Sequence, residues 1–527
     1  MIFKVADQLP ATIINIIFTM NILDINGFYL VTSFLEPYEI KKLGISSKYI
    51  YNRCRNFMTY LYREYGCNES YYKMNTAKWM VTNCNQDILS DCINKNLTIN
   101  SIIFNHDFDK PIEFLTSCTN LRQIYFGRDF NQSVEALASC TNLQHIIFDG
   151  RFNHPIKALA NCTNLRYITF GDWLNQPIKA LAGCTNLQRI TFGYYFKRRV
   201  EILAKCTNLQ HITFGWKFNR SIKALAKCTN LQHITFGGWF NQPIEALANC
   251  TNLRHITFGK MFNQPIKALA TCSNLQRITF GYYYNQTIEA LANCTNLQQI
   301  TFDILFNQPI EALANCTAIQ YITFGYVFNQ PIEALASCTN LQQITFGYRF
   351  NQSIEALANC TNLQQITFGC AFNKPIEALA SCTSIQQITF GCRFNQSIEV
   401  LANCTNLQQI TFGNNFNQSI EALASCTSIQ QITFNDDFNQ PVEALANCTN
   451  LQQITFGNNF NRPIEALANC TLLQQITFGE RFNRPVEAVA KCELYMRKFD
   501  TVEKYWRKEK FIPKTPAHTI QKNCSIL

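Results

Sequence analysis

The sequence contains no uninterrupted run of the roughly 18–20 apolar residues that a membrane-spanning helix requires. Its most apolar N-terminal stretch, ATIINIIFTMNIL (residues 11–23), is broken by Asn15 and Asn21. It has a weak basic flank and no clear small-residue cleavage site, so it does not read as a secretory leader and an intracellular, cytoplasmic location is expected. No Cys-x-x-Cys pair occurs, which argues against a zinc site. Only 7 histidines are present, and no nucleophile–base constellation or phosphate-cradling loop can be found. The chain therefore offers no catalytic residue, no metal site and no cofactor or small-molecule site.

What is present is repetition. An aromatic–Asn pair recurs every 22 residues from Phe108 to Phe482, giving 18 copies with no insertion or deletion. Leu174 and Tyr284 each replace the usual Phe once, and Asp109 and Lys197 replace the Asn. Of 25 cysteines, 18 fall one per copy from Cys118 to Cys492. A strict one-per-copy period suits a ladder of buried reduced thiols acting as small apolar side chains, rather than paired disulfides.

In the copy from Phe328 to Arg349, FNQPIEALASCTNLQQITFGYR, the alternation over Ile344-Thr345-Phe346 predicts a short strand with Thr345 outward. Pro331 suits the start of a helical turn, and Ile332, Leu335 and Ala336 share one face of it. One such coil cannot bury its own apolar side, so copies must stack into a solenoid. The recurrent Asn is expected to form a hydrogen-bonded ladder that satisfies turn backbone. The predicted fold is an α/β solenoid of 18 repeats of 22 residues. It comprises a helical N-terminal region over 1–96, the array over 97–492, and a C-terminal helical cap with a basic tail over 493–527. The cap is read from Tyr495, Phe499, Val502 and Trp506, which can share a helical stripe.

The pattern Leu-x-x-Ile-x-Phe followed by Phe-Asn resembles the leucine-rich repeat, and FNQPI in a 22-residue unit resembles its FNIP subclass. CTNLQQITF also resembles bacterial surface-type leucine-rich repeats; the lack of a secretory signal favours FNIP. Residues 34–52, FLEPYEIKKLGISSKYIYN, resemble the second part of an F-box, through Leu35, Pro37, Ile40 and Leu43, with Leu9-Pro10 as its opening pair. Leu9-Pro10 stands further upstream than that pattern expects, so a plain helical cap for the solenoid remains the other reading of this region. An F-box, here over about residues 9–55, implies docking to a Skp-type adaptor and a cullin, as in a ubiquitin ligase. The F-box/FNIP arrangement is typical of amoebae and the large DNA viruses that infect them, which for a viral chain implies the host cytoplasm. The last four residues, Cys524-Ser525-Ile526-Leu527, match a prenylation pattern whose terminal Leu points to geranylgeranylation of Cys524 and peripheral membrane contact. Chance is the alternative, because cysteine is common here and Ser525 is not aliphatic.

Function is expected where copies disagree. The residue before the strand Ile runs His145, Tyr167, Arg189, His211, His233, His255, Arg277 and is always Gln from Gln365 to Gln475. In a leucine-rich repeat this position faces the concave side. The pair after the strand Gly carries Trp173, Tyr195, Trp216, Trp239 and Tyr283, then turns to Asn and Asp from Asn414 onward. Charge divides likewise: residues 97–294 hold 20 basic and 10 acidic side chains, a net of +10, and residues 295–492 hold 7 and 13, a net of −6. These residues together predict a protein-binding face in the first half, with the second half mostly spacer. The bipolar charge argues against a uniform nucleic-acid stripe, the competing class.

Overall fold

The computed structural model describes residues 79–84, 99–496 and 507–508. The chain divides into two compact units, residues 1–198 with 205–207, and residues 199–204 with 208–527. In the first unit, strand Trp79–Cys84 pairs in parallel with Ile99–Phe104, followed by Gln123–Phe126, His145–Phe148, Tyr167–Phe170 and Arg189–Thr191. In the second unit, strands from His211–Thr213 to Gln475–Phe478 pair in parallel, each in register with the residue 22 positions on. In-register pairing follows from identical copies: a slip of one residue would turn every strand Ile outward.

The coil has a burial rhythm of its own. Ile332, Leu335, Cys338, Leu341 and Ile344 are all buried and fall every third residue, followed by Phe346 and Phe350. A three-residue period suits a 3-10 helix, in which i and i+3 eclipse. Glu333–Ser337 is such a helix, as is its counterpart in every coil, and no α-helix forms among the described residues. The expected α-like stripe is thus corrected: Leu335 is buried, whereas Ala336 is only half-buried. The strand is also one residue earlier than expected, Gln343–Thr345, with Ile344 inward. Removing one such fully buried Leu would cost about 2–5 kcal/mol.

Phe346 and Phe350 stack within a coil at 3.9 Å and repeat to the next coil at 5.8 and 6.0 Å. Equivalent atoms on neighbouring strands lie only about 4.8 Å apart. Coils of the second unit therefore widen from the sheet towards the Phe350 corner, and the sheet occupies the narrow side of the wedge.

The Asn ladder forms as expected. Asn329 Oδ1 accepts the backbone N–H of Asn351 at 2.9 Å, and Asn351 Oδ1 accepts that of Asn373 at 2.9 Å. Asp109, which keeps an acceptor oxygen, does the same for Asn131 at 2.8 Å. A second ladder lies on the Cys-Thr-Asn turn, where Asn340 and Asn362 donate to the carbonyls of Thr317 and Thr339, each at 3.0 Å.

Both ends differ from expectation. The region 1–96 contains a strand, Trp79–Cys84, so the parallel ladder begins before residue 97. At the other end, Glu493–Met496 is a strand rather than the start of a capping helix. It pairs in parallel with Gln475–Phe478 and antiparallel with Arg507–Lys508. The edge left by the last repeat carries unpaired backbone groups, and a further strand satisfies them where a helix would not; the Glu493 N–H donates to the Gln474 carbonyl at 2.7 Å.

Candidate functional site

Two ladders position the variable side chains. The strand ladder holds the residue before each strand Ile on the open face of the sheet. A turn ladder then fixes the rim. The backbone N–H of Met261 donates to Gly238, that of Tyr283 to Lys260 and that of Arg349 to Tyr326, at 2.8, 3.0 and 2.9 Å. A glycine precedes most rim pairs, with Asp149, Asp303 and Asn435 in its place in three coils; a Cβ on Gly347 would collide with the Gly325 carbonyl oxygen.

In the first unit, His145, Tyr167 and Arg189 are direct neighbours across three strands. The His145 and Tyr167 rings lie 4.4 Å apart, and the Tyr167 hydroxyl donates to Gln188 Oε1 at 3.0 Å. Burial, with the nearby Arg166 charge, pushes the His145 pKa below the usual imidazole value. On the rim, Trp173 lies 4.9 Å from Tyr195, and Tyr194 meets Tyr195 edge-on at 4.8 Å. Trp173 is 54% exposed.

In the second unit, His211, His233, His255 and Arg277 form one row across four strands. His211 stacks on His233 at 4.3 Å, and His233 meets His255 edge-on at 4.4 Å. Burial and the Arg277 charge lower the His255 pKa, against a hydrogen bond with Gln276 that raises it; Arg254 lowers it further. Row and rim share the same coils. Along the rim Trp216, Trp239, Met261, Tyr283, Tyr326 and Tyr348 are all exposed, Trp239 by 53%. Lys217 Nζ stands 5.8 Å from the Trp239 ring and Lys260 Nζ 5.1 Å from that of Tyr282, placing cations on aromatic faces.

Several contributors escape a copy-by-copy reading. Gly238 lets the Trp216 ring lie over the backbone where most other coils carry a side chain, because a Cβ there would lie 2.6 Å from that ring. Met261, Lys217 and Lys260 belong to the same rim, and aligning that column across copies would have found them. The later coils also carry a trough of about 670 Å³, lined by glutamines including Gln409, Gln431, Gln453 and Gln475 and closed by Lys491 and Glu493. The F-box residues Leu9, Pro10, Leu35, Pro37, Ile40 and Leu43, and the prenylation residue Cys524, lie outside the described residues.

A parallel-strand solenoid with a variable aromatic and basic face defines a leucine-rich repeat scaffold. More narrowly, the chain belongs to the BspA-type leucine-rich repeat family, whose model matches in overlapping stretches from residue 67 to 494. No curated protein matches it. Among solved structures it is similar to CroV588, described as a novel circular leucine-rich repeat protein, with 30% identity and a TM-score of 0.56; the match covers 75% of this chain and 59% of that one. A leucine-rich repeat protein of Leptospira interrogans shares the fold at 10% identity and a TM-score of 0.58, over 73% of this chain and 98% of the other. A chain of the Drosophila Toll–Spatzle complex does so at 12% identity and 0.55, over 77% and 59%.

Proposed function

We propose that this chain is a non-catalytic protein-binding scaffold whose target docks on the row and rim of second-unit coils, residues 208–294, within the basic half of the array. The observation that carries this reading is the run of exposed Trp and Tyr side chains, with Lys217 over Trp239 and Lys260 over the half-buried Tyr282, on coils whose sheet face bears His and Arg. Trp and Tyr bury large area with few rotatable bonds and keep a polar handle, and with Arg they dominate interface energetics. The net charge of this half favours an acidic partner surface. A leucine-rich repeat chain in the Toll–Spatzle complex shows the fold in a protein assembly, at an identity that carries the fold alone.

In its finer form, the proposal makes the chain an F-box/FNIP substrate receptor. The N-terminal residues Leu9, Pro10, Leu35, Pro37, Ile40 and Leu43 would dock a Skp-type adaptor while the array holds the target. Such a receptor acts by proximity, raising effective concentration, and needs no reactive group. A prenylated Cys524 would hold the assembly at a membrane.

The test is affinity capture with the full chain. Joint substitution of Trp216, Trp239 and Tyr283 by Ala should abolish target recovery with circular dichroism unchanged; undiminished recovery refutes the face. Substituting Leu35 and Pro37 by Ala should remove adaptor and cullin but not the target. A full chain that captures neither adaptor nor cullin refutes the ligase form alone.

A further inference from the structure

Two cysteines stand apart from the periodic thiols. Cys370 and Cys392 occupy the first rim position of adjacent coils, where the preceding coil carries Tyr348 and the following one Asn414. Cys392 is exposed and Cys370 half-buried, whereas the one-per-coil thiols are buried. The turn ladder brings their backbones together: the Arg393 N–H donates to the Cys370 carbonyl at 3.0 Å, and that of Asn415 to the Cys392 carbonyl at 2.9 Å. The two thiols and the Tyr348 hydroxyl lie close enough to shift one another's acidity. Strands one coil apart lie about 4.8 Å apart and the Phe rings flanking this turn repeat at 5.5 and 6.0 Å, all inside the roughly 4.4–6.8 Å between Cα atoms that a disulfide spans.

We propose that Cys370 and Cys392 form a redox-active dithiol that closes to a disulfide between adjacent coils when met by a hydroperoxide. The Cys370 thiolate attacks the peroxide O–O bond, taking one oxygen as a sulfenic acid and releasing water or alcohol. The Cys392 sulfur then attacks the Cys370 sulfur, the S–S bond forms and the sulfenic oxygen leaves as water. Two thiol protons go to the departing oxygens, and two electrons pass from the sulfurs to the peroxide. Cys370 is the attacking member. Partial burial raises its pKa, but hydrogen bonds from Cys392 and Tyr348, with the Arg393 guanidinium, outweigh this and stabilise its thiolate. Cys392 moves the other way, mainly through its hydrogen bond to Cys370. The buried one-per-coil thiols cannot compete: burial pushes Cys360 and Cys382, in the same two coils, up to about 12, and the thiolate is the reacting form.

The sequence makes the test clean. Cleavage after glutamate separates the pair onto two peptides, Ala356–Glu377 and Ala378–Glu399, each with one buried cysteine as an internal control. The reduced, folded full chain is treated with hydrogen peroxide, denatured, alkylated and digested. The expected result is a cross-linked pair of these peptides, with Cys360 and Cys382 alkylated, that disappears on reduction and in Cys370→Ser and in Cys392→Ser. Both substitutions lie on an exposed turn, and circular dichroism should show them folded. Alkylation of both Cys370 and Cys392 after peroxide, or a cross-link through Cys360 or Cys382, overturns the proposal.

Discussion

Raising the pH should unravel the array through its thiol ladder, and Cys338 and Cys360 show by how much. Each is buried, and its Sγ donates to a leucine carbonyl one coil back, Leu313 at 3.8 Å and Leu335 at 3.6 Å. Burial, and then the neighbouring thiol, pushes both up to about 12 from an ordinary value of 9.0. A group whose folded pKa is raised contributes stability that is complete below its unfolded pKa and lost as pH rises towards the folded one. One pH unit above the unfolded value, the unfolded chain has released almost the whole proton and the folded coil almost none. The loss is then about 1.4 kcal/mol per thiol, since one pKa unit is about 1.36 kcal/mol. Five coils that unfold together would lose about 7 kcal/mol, as much as many whole domains possess. Lysine, tyrosine and arginine also titrate in alkali, so the thiols are isolated by comparison. The double variant Cys338→Ala/Cys360→Ala should lose about 2.8 kcal/mol less than the parent between neutral pH and about pH 10. Denaturant unfolding followed by circular dichroism reads this difference, and ultraviolet thiolate absorbance of the native chain should stay low over the same range. Equal losses in parent and variant would refute buried thiols as the cause.

Other perturbations test the remaining elements. Asn351→Leu removes the acceptor for the Asn373 N–H and should cost about 1–3 kcal/mol in chemical denaturation, whereas Asn351→Asp should cost less because Asp109 already serves in that role. Gly238→Ala should displace the Trp216 indole, seen as a shift in tryptophan fluorescence, without the large loss of melting temperature expected for Gly347→Ala, whose Cβ meets backbone. His255 has a lowered pKa, so its neutral form suits the fold. Its contribution is complete above the ordinary value of 6.5 and lost as pH falls through the folded value. His255→Gln should therefore flatten the acid limb of the stability profile below the ordinary imidazole value, and an unchanged limb would assign it to other groups.

What the sequence made legible was whatever recurred. Eighteen copies force Leu, Ile, Phe, Asn and Cys into equivalent places, so the buried column, the Asn ladder and the strand face followed from the period. The helical turn was misread at one position: Ala336 follows Leu335 like an α-helical neighbour, and only the three-residue spacing of Ile332, Leu335 and Cys338 distinguishes a 3-10 turn. Single-copy segments carry no such signal. Trp79–Cys84 and Glu493–Met496 became strands because a sheet edge offers backbone partners, which a stripe of apolar residues does not reveal. Along the candidate face, the aromatics were visible as differences between copies. The dependence of Trp216 on Gly238 was not, because it joins two residues 22 apart in sequence. Cys370 and Cys392 were hidden by company, two reactive thiols among many periodic inert ones.

The Asn ladder also bears on how such a chain changes over time. From Asn241 to Asn461 every rung takes an N–H from the coil after it and offers its own to the coil before it, so each seam along this run presents the same donors to the same acceptors. Adding or losing a whole coil rejoins two matching surfaces and leaves all other rungs as they were, whereas a single inserted residue breaks every ladder at that seam. Length is thus nearly neutral in steps of 22 residues and nearly frozen in smaller ones. Duplication can supply spare coils on which a new face may be written one side chain at a time.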